Sequence, residues 1–249
     1  MPHLADCDSL AVEVGLLAEV VRAADPQTPV STCDPWVVAD LVGHLGQIHR
    51  WAWSMVRDLS HSRLAGREKL FPAPESAQLT AWLVAGGEEL VATLRAADPD
   101  APMWAWGADK HAGFWSRRML HETTLHRADA ELALGATPKI DVDVAVDGVD
   151  EFLANLPCAS YFAPGVRRLR GAGDLLWLAP DVDVAWLVEL RPDGFTWRHE
   201  RGREPTVTVV GGAADLYLFT WGRVRADDAR LTVSGDRDLL DHWVANSAL

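Results

Sequence analysis

The chain has 249 residues, half of them apolar and 24% charged, with a net charge of -13. That is enough chain for one large domain or two modest ones, each with a real core. So acidic a balance argues against non-specific binding to nucleic acid or anionic membrane, though a local arginine cluster could still hold an anionic substrate.

The first 135 residues read as helices. "SLAVEVGLLAEVVRAA" carries apolar residues at three and four spacing and stops before Pro26. In "STCDPWVVADLVGHLGQIHRWAWSMVRDL", Asp34 is placed to cap and Pro35 to fill the first turn, followed by a stripe of Val38, Leu41, Val42, Leu45 and Ile48. After a Pro-rich break, Glu75 or Ser76 opens a third helix that ends at Asp98-Pro99. A tryptophan-bearing loop leads to "AGFWSRRMLHETTLHRADAELALG", closed by Gly135. Four long helices with short or medium links predict a four-helix bundle over 1–138. Beyond Pro138, "DVDVAVDGVDEFLANL" reads as one more helix. Short strand-like runs then alternate with turn signals, "RPDGF" among them, and "AADLYLFTWGR" and "DRDLLDHWVANSAL" return to helical spacing. The expectation for 139–249 is a small α+β domain with an antiparallel sheet.

The opening "MPHLADCDSL" has no basic region followed by an apolar run, and no stretch approaches the roughly 18 apolar residues of a membrane span. A cytoplasmic location is expected. Cys7, Cys33 and Cys158 lie far apart with no C-x-x-C pair, and read as small buried or half-buried thiols of a reducing compartment. Among the 12 tryptophans, Trp104, Trp106 and Trp115 are candidates for a pocket wall or for core packing.

"HETTLH" (121–126) is the stretch that points to chemistry. His121 and His126 are five apart, about 140° around a helix, so they cannot serve one ion together. Glu122 and His126, four apart, share a face. In the second helix His44 lies on the inward stripe, while His49 turns outward beside Arg50. Bundles build metal sites from inward carboxylates and histidines on facing helices. His44, Glu122 and His126 would supply two nitrogens and one oxygen with an open position, a set that suits Zn²⁺ and, after it, Fe²⁺, Mn²⁺ or Ni²⁺. The competing reading is a buried, hydrogen-bonded Glu/His pair. Arg118, one turn before Glu122, and Asp129, three after His126, are placed to support those ligands.

"DPWVVADLVGHLGQIHRWA" and "AGFWSRRMLHETTLHRADAELALG" resemble the two signature helices of the mycothiol-dependent maleylpyruvate isomerase family, and "GGAADLYLFTWGR" resembles a helix of its C-terminal domain. The resemblance implies a DinB-like metal-binding bundle followed by a small α+β domain. It implies zinc on His44, Glu122 and His126, and mycothiol as the thiol cosubstrate. It aligns Arg223 with the family's substrate-side arginine, although "TWGR" also fits a helix-end salt bridge. The family often has an aromatic residue two after its second metal histidine, where this chain has Ala128.

The expected activity is isomerisation of a small electrophile, or S-transfer to it, by a zinc-activated thiol. Arg223, with Arg118 as second candidate, would hold a substrate carboxylate. A metal-dependent hydrolase using zinc-bound hydroxide, or a non-catalytic metal- or ligand-binding protein, would use the same three ligands. Partners are expected to be small molecules, with no nucleic acid and no membrane. The oligomeric state is left open, with a slight lean towards a monomer.

Overall fold

Helices occupy the chain from His3 to Ala133, and the first strand begins only at Asp174. The computed structural model describes residues 1–201 and 204–249, and divides into two compact units, Met1–Lys139 and Ile140–Leu249. None of the described helices is long and apolar enough to cross a membrane.

The first unit consists of α1 (His3–Arg22), α2 (Val38–Arg57), the single turn α3 (Arg67–Leu70), α4 (Ser76–Ala96) and α5 (Gly113–Ala133). α1 packs on α4 and α5, and α2 packs on the same two helices from the other side. Leu17, Leu41, Leu45 and Leu83 are fully buried where these helices meet. Each such side chain contributes roughly 1.5–3 kcal/mol through loss of apolar surface to water. α5 ends as its sequence demands. Gly135 takes a φ of +75°, its N–H donates to the Leu132 carbonyl, and the Ala136 N–H reaches back to Glu131.

α2 begins later than its sequence suggests. Asp34 and Pro35 precede the helix rather than capping it, joined by a cis peptide bond. The Val30 N–H donates to the Trp36 carbonyl, and the Val38 N–H to that of Thr28. Those pairings fold 28–38 into a tight loop with a short 3₁₀ turn at Ser31–Cys33. The Asp40 carboxylate instead accepts from the Val37 N–H at 3.0 Å.

α2 and α4 approach closely because two glycines leave room. The Trp82 ring lies where a Cβ on Gly46 would stand, and the Arg50 guanidinium where one on Gly86 would stand. Arg50 stacks on Trp82, 4.0 Å from the ring centroid, and donates to the carbonyls of Gly46 and Trp82. On α5, Arg127 is buried and forks onto Glu13 of α1 at 2.5 and 3.2 Å, with Glu131 at 2.7 Å as a second partner.

The second unit opens with α6 (Val142–Asn155), capped by Asp141, whose side chain accepts from the N–H groups of Asp143 and Val144. Its five strands are β1 (Asp174–Ala179), β2 (Val184–Arg191), β3 (Gly194–His199), β4 (Val207–Val210) and β5 (Thr232–Gly235), in the order β3-β2-β1-β4-β5. α7 (Ala213–Thr220) separates β4 from β5, and α8 (Arg237–Asn246) follows. Three pairings are antiparallel, including the β2–β3 hairpin read from "RPDGF". The sheet is antiparallel as expected except for one pair among the described strands, β1 and β4, which run parallel. The hairpin β1–β2–β3 leaves one edge of β1 open, and β4 fills it from a distant point in the chain, where no tight turn dictates direction. Trp177 is buried against Phe219 and Trp243 of the helices.

Candidate metal centre

The structure brings His44 of α2 to Glu122 and His126 of α5. His44 Nε2 lies 3.4 Å from Glu122 Oε1, and His126 Nε2 lies 3.5 Å from the same oxygen. One donor atom from each residue falls within 4.8 Å of the other two. A tetrahedral ion with bonds of about 2.0–2.1 Å sets its ligand atoms about 3.4 Å apart, so this donor set fits a zinc-sized ion. His44 and Glu122 keep 20% and 23% of their side-chain surface, so the centre is open on one side.

Each donor is held from behind. His126 Nδ1 is 2.9 Å from Asp129 Oδ2, which turns Nε2 towards Glu122. The Cys33 thiol donates to the same Asp129 oxygen at 3.3 Å, and Cys33, His126 and Asp129 form a second group of convergent donors. Arg118, almost wholly buried, reaches Glu122 Oε2 at 3.4 Å. The Trp36 ring lies 4.7 Å from the His44 ring and 6.1 Å from that of His126.

These contacts set the charges. Burial works against an ionised Glu122, but the two histidines and Arg118 outweigh it and hold the carboxyl well below its usual range. Burial also works against a charged His126, yet hydrogen bonds to Asp129, Cys33 and Glu122 raise its pKa well above the ordinary histidine value. Burial lowers His44 despite Glu122, which favours the neutral ring that a metal requires.

His49 does not face outward. It is fully buried, with Nε2 2.9 Å from the Thr123 hydroxyl, which itself donates to the Met119 carbonyl. α2 is covered on two faces, by α4 and α5, so the apolar stripe marked only part of its buried surface. His121 is buried as well and lies outside the convergent group. Arg118 serves Glu122 rather than open space. Arg223 belongs to the second unit, just past α7 and Gly222, where its Nη1 donates to the Trp221 carbonyl at 2.7 Å.

A cleft of about 780 Å³ opens beside His44, lined by Trp36, Asp40, Gln47, Arg67 and Glu68 among others. None of the three expected wall tryptophans lines it. Trp104 and Trp115 pack with Trp51 at 5.3–6.0 Å, and Trp106 packs on Phe114. The tryptophan of the cleft is Trp36, missed in the sequence although it directly follows the Asp-Pro pair. Cys33 was missed for the same reason, because only the 28–38 loop brings both over the site.

The family model of the mycothiol maleylpyruvate isomerase N-terminal domain matches residues 7–131, and that of the MDMPI C-terminal domain matches 143–242. A crystal structure of the mycothiol-dependent maleylpyruvate isomerase is similar at 15% identity and a TM-score of 0.65. A histidine-to-alanine mutant of that enzyme is similar at 14% and 0.66, and each alignment covers 94% of this chain and 93% of the other. No protein of curated function matches in sequence. Spanned by both domains of one family, the chain belongs to the mycothiol maleylpyruvate isomerase family.

Proposed function

We propose that the chain is a zinc-dependent enzyme that uses a low-molecular-weight thiol, mycothiol, to isomerise a small electrophilic substrate or to transfer the thiol to it. One observation carries this reading. In a chain spanned by both family domains, His44 Nε2, Glu122 Oε1 and His126 Nε2 converge at metal-ligand spacing beside an open cleft.

Three protein ligands leave a fourth position, the pattern of a catalytic rather than a structural site. The ion, when bound there, supplies one thing: it makes a thiol of ordinary pKa near 8.5 a thiolate at neutral pH. The protein does the rest. Glu122 brings a full negative charge, kept ionised by Arg118. Asp129 fixes the tautomer and direction of His126. The Trp36 ring, 4.7 Å from that of His44, packs against the imidazole. Arg223 stands as the substrate-side arginine on the resemblance of "TWGR" to the family's helix. Its replacement by Met should raise KM for a carboxylate substrate and leave metal content unchanged.

Elemental analysis of the wild type beside His44→Ala and Glu122→Ala is the primary test. About one zinc per chain, lost in both variants, supports the site. Turnover of maleylpyruvate only when mycothiol is added supports the reaction. A wild type that takes up no zinc overturns the proposal. Hydrolytic turnover without thiol would make the chain a hydrolase, and stable metal without any turnover a binding protein.

A further inference from the structure

His126 belongs to two groups of convergent donors, not one. Its Nε2 faces Glu122 Oε1 at 3.5 Å, in the centre already described. Its Nδ1 faces Asp129 Oδ2 at 2.9 Å, and the Cys33 Sγ lies 3.3 Å from that same oxygen. A thiol, an imidazole and a carboxylate thus offer one ligand atom each within 4.8 Å of one another. Asp129 is fully buried on α5, three residues after His126. Cys33 comes from the 3₁₀ turn of the 28–38 loop and is half-buried, so the group is closed by the helix and reached through the loop. The backbone fixes that cysteine: its N–H donates to the Val30 carbonyl and its carbonyl accepts from the Trp36 N–H, both at 2.9 Å. The His44, Glu122 and His126 set contains no sulfur. A set with a thiolate favours softer, thiophilic ions.

We propose that Cys33, His126 Nδ1 and Asp129 form a second cation site, for a thiophilic ion, and that this ion excludes the one held by His44, Glu122 and His126. The exclusion follows from the ring they share. A neutral imidazole has one lone pair to give and one N–H. An ion on Nδ1 leaves the ring proton on Nε2, opposite Glu122 Oε1, so His126 is lost to the first centre. The Cys33 thiol releases its proton to solvent as the metal–sulfur bond forms. The two hydrogen bonds that now meet on Asp129 hold the donor atoms slightly closer than the roughly 3.4 Å between ligand atoms around a zinc-sized ion. The loop that carries Cys33 gives way by that margin, because the other two residues share one helix. A thiophilic ion therefore silences the first centre without touching His44 or Glu122. That consequence for activity rests on the proposed function; the site itself does not.

Cadmium is the probe, because a cadmium–thiolate bond absorbs in the ultraviolet. Every protein tested is the full chain with Cys158→Ser, which removes the other half-buried thiol. Cadmium should raise the thiolate band in this parent and, after zinc loading, release zinc in step with the band. His44→Ala, without the first centre, should keep the band, and Cys33→Ser should lose it, with helical signal checked in each. No band in the zinc-free parent, a band that survives Cys33→Ser, or a band that rises while zinc stays bound overturns the proposal. A chain that takes up no zinc yet shows the Cys33-dependent band would sink the enzyme reading and leave this site standing. A chain that holds zinc through His44 and shows no band does the reverse.

Discussion

His126 and Asp129 stand one turn apart on α5 with Nδ1 and Oδ2 2.9 Å from each other, and that bond leaves Nε2 as the ring's free donor. Asp129 is fully buried. Asp129→Ala should therefore weaken zinc by about 10- to 100-fold with all three ligands still present. Competition with a chromogenic chelator measures this directly. Unchanged affinity would mean that helix packing alone orients His126.

His49 makes the fold sensitive to acid. Burial pushes its pKa down to about 3, against 6.5 for an unhindered ring. Above pH 6.5 both folded and unfolded chains hold it neutral and it adds no pH dependence. As pH falls below 6.5 the unfolded chain takes up a proton that the native chain refuses, and stability drops until about pH 3. By pH 5 the loss is about 2 kcal/mol. His49→Gln keeps a partner for Thr123 and removes the titration. Urea unfolding at pH 7 and pH 5 should show the variant losing less stability than wild type, and equal losses would refute the account.

Cys7 is predicted to be inert. Its thiol is fully buried, and desolvation, with Asp6 beside it, pushes its pKa up to about 11. Iodoacetamide at pH 8 should label Cys33 and Cys158, both half-buried, and spare Cys7 until denaturant is added. The raised value also has a stability consequence. The native chain keeps this proton where the unfolded chain loses it, so stability is full below pH 9 and declines between pH 9 and 11. Mass spectrometry of tryptic peptides identifies the labelled thiols.

The Glu13–Arg127 fork fastens α1 to α5 in the interior, with side chains only 6% and 1% exposed. Glu13→Ala would leave the buried guanidinium with Glu131 and the Lys139 carbonyl but without its forked partner, at a cost of about 3–5 kcal/mol. Thermal unfolding should show a large fall in Tm. A shift of a degree or two would mean that Arg127 finds solvent on relaxing.

Much of this was legible in the residues. Glu75 or Ser76 as the start of α4, and Gly135 as the stop of α5, follow from local cap chemistry, and the structure has both. The four-residue spacing of Glu122 and His126 put them on one face, which the structure turns towards His44. What stayed hidden has a common origin in contacts distant in sequence. The start of α2 is decided by backbone pairing of 28–30 with 36–38, which no periodicity announces. His49 is buried because α2 has two neighbours where the stripe implied one.

The seam between α2 and α4 carries a consequence for how this chain tolerates change. Gly46 lies two residues beyond His44, and Gly86 faces Arg50 from another helix. A methyl group at Gly86 would meet only the mobile end of Arg50, but one at Gly46 would run into the Trp82 ring and press the two helices apart. His44 would travel with its helix. Alanine at Gly46, itself no ligand, should therefore present itself as a metal-binding defect. The capacity to hold an ion thus depends on a place where the chain has no side chain at all.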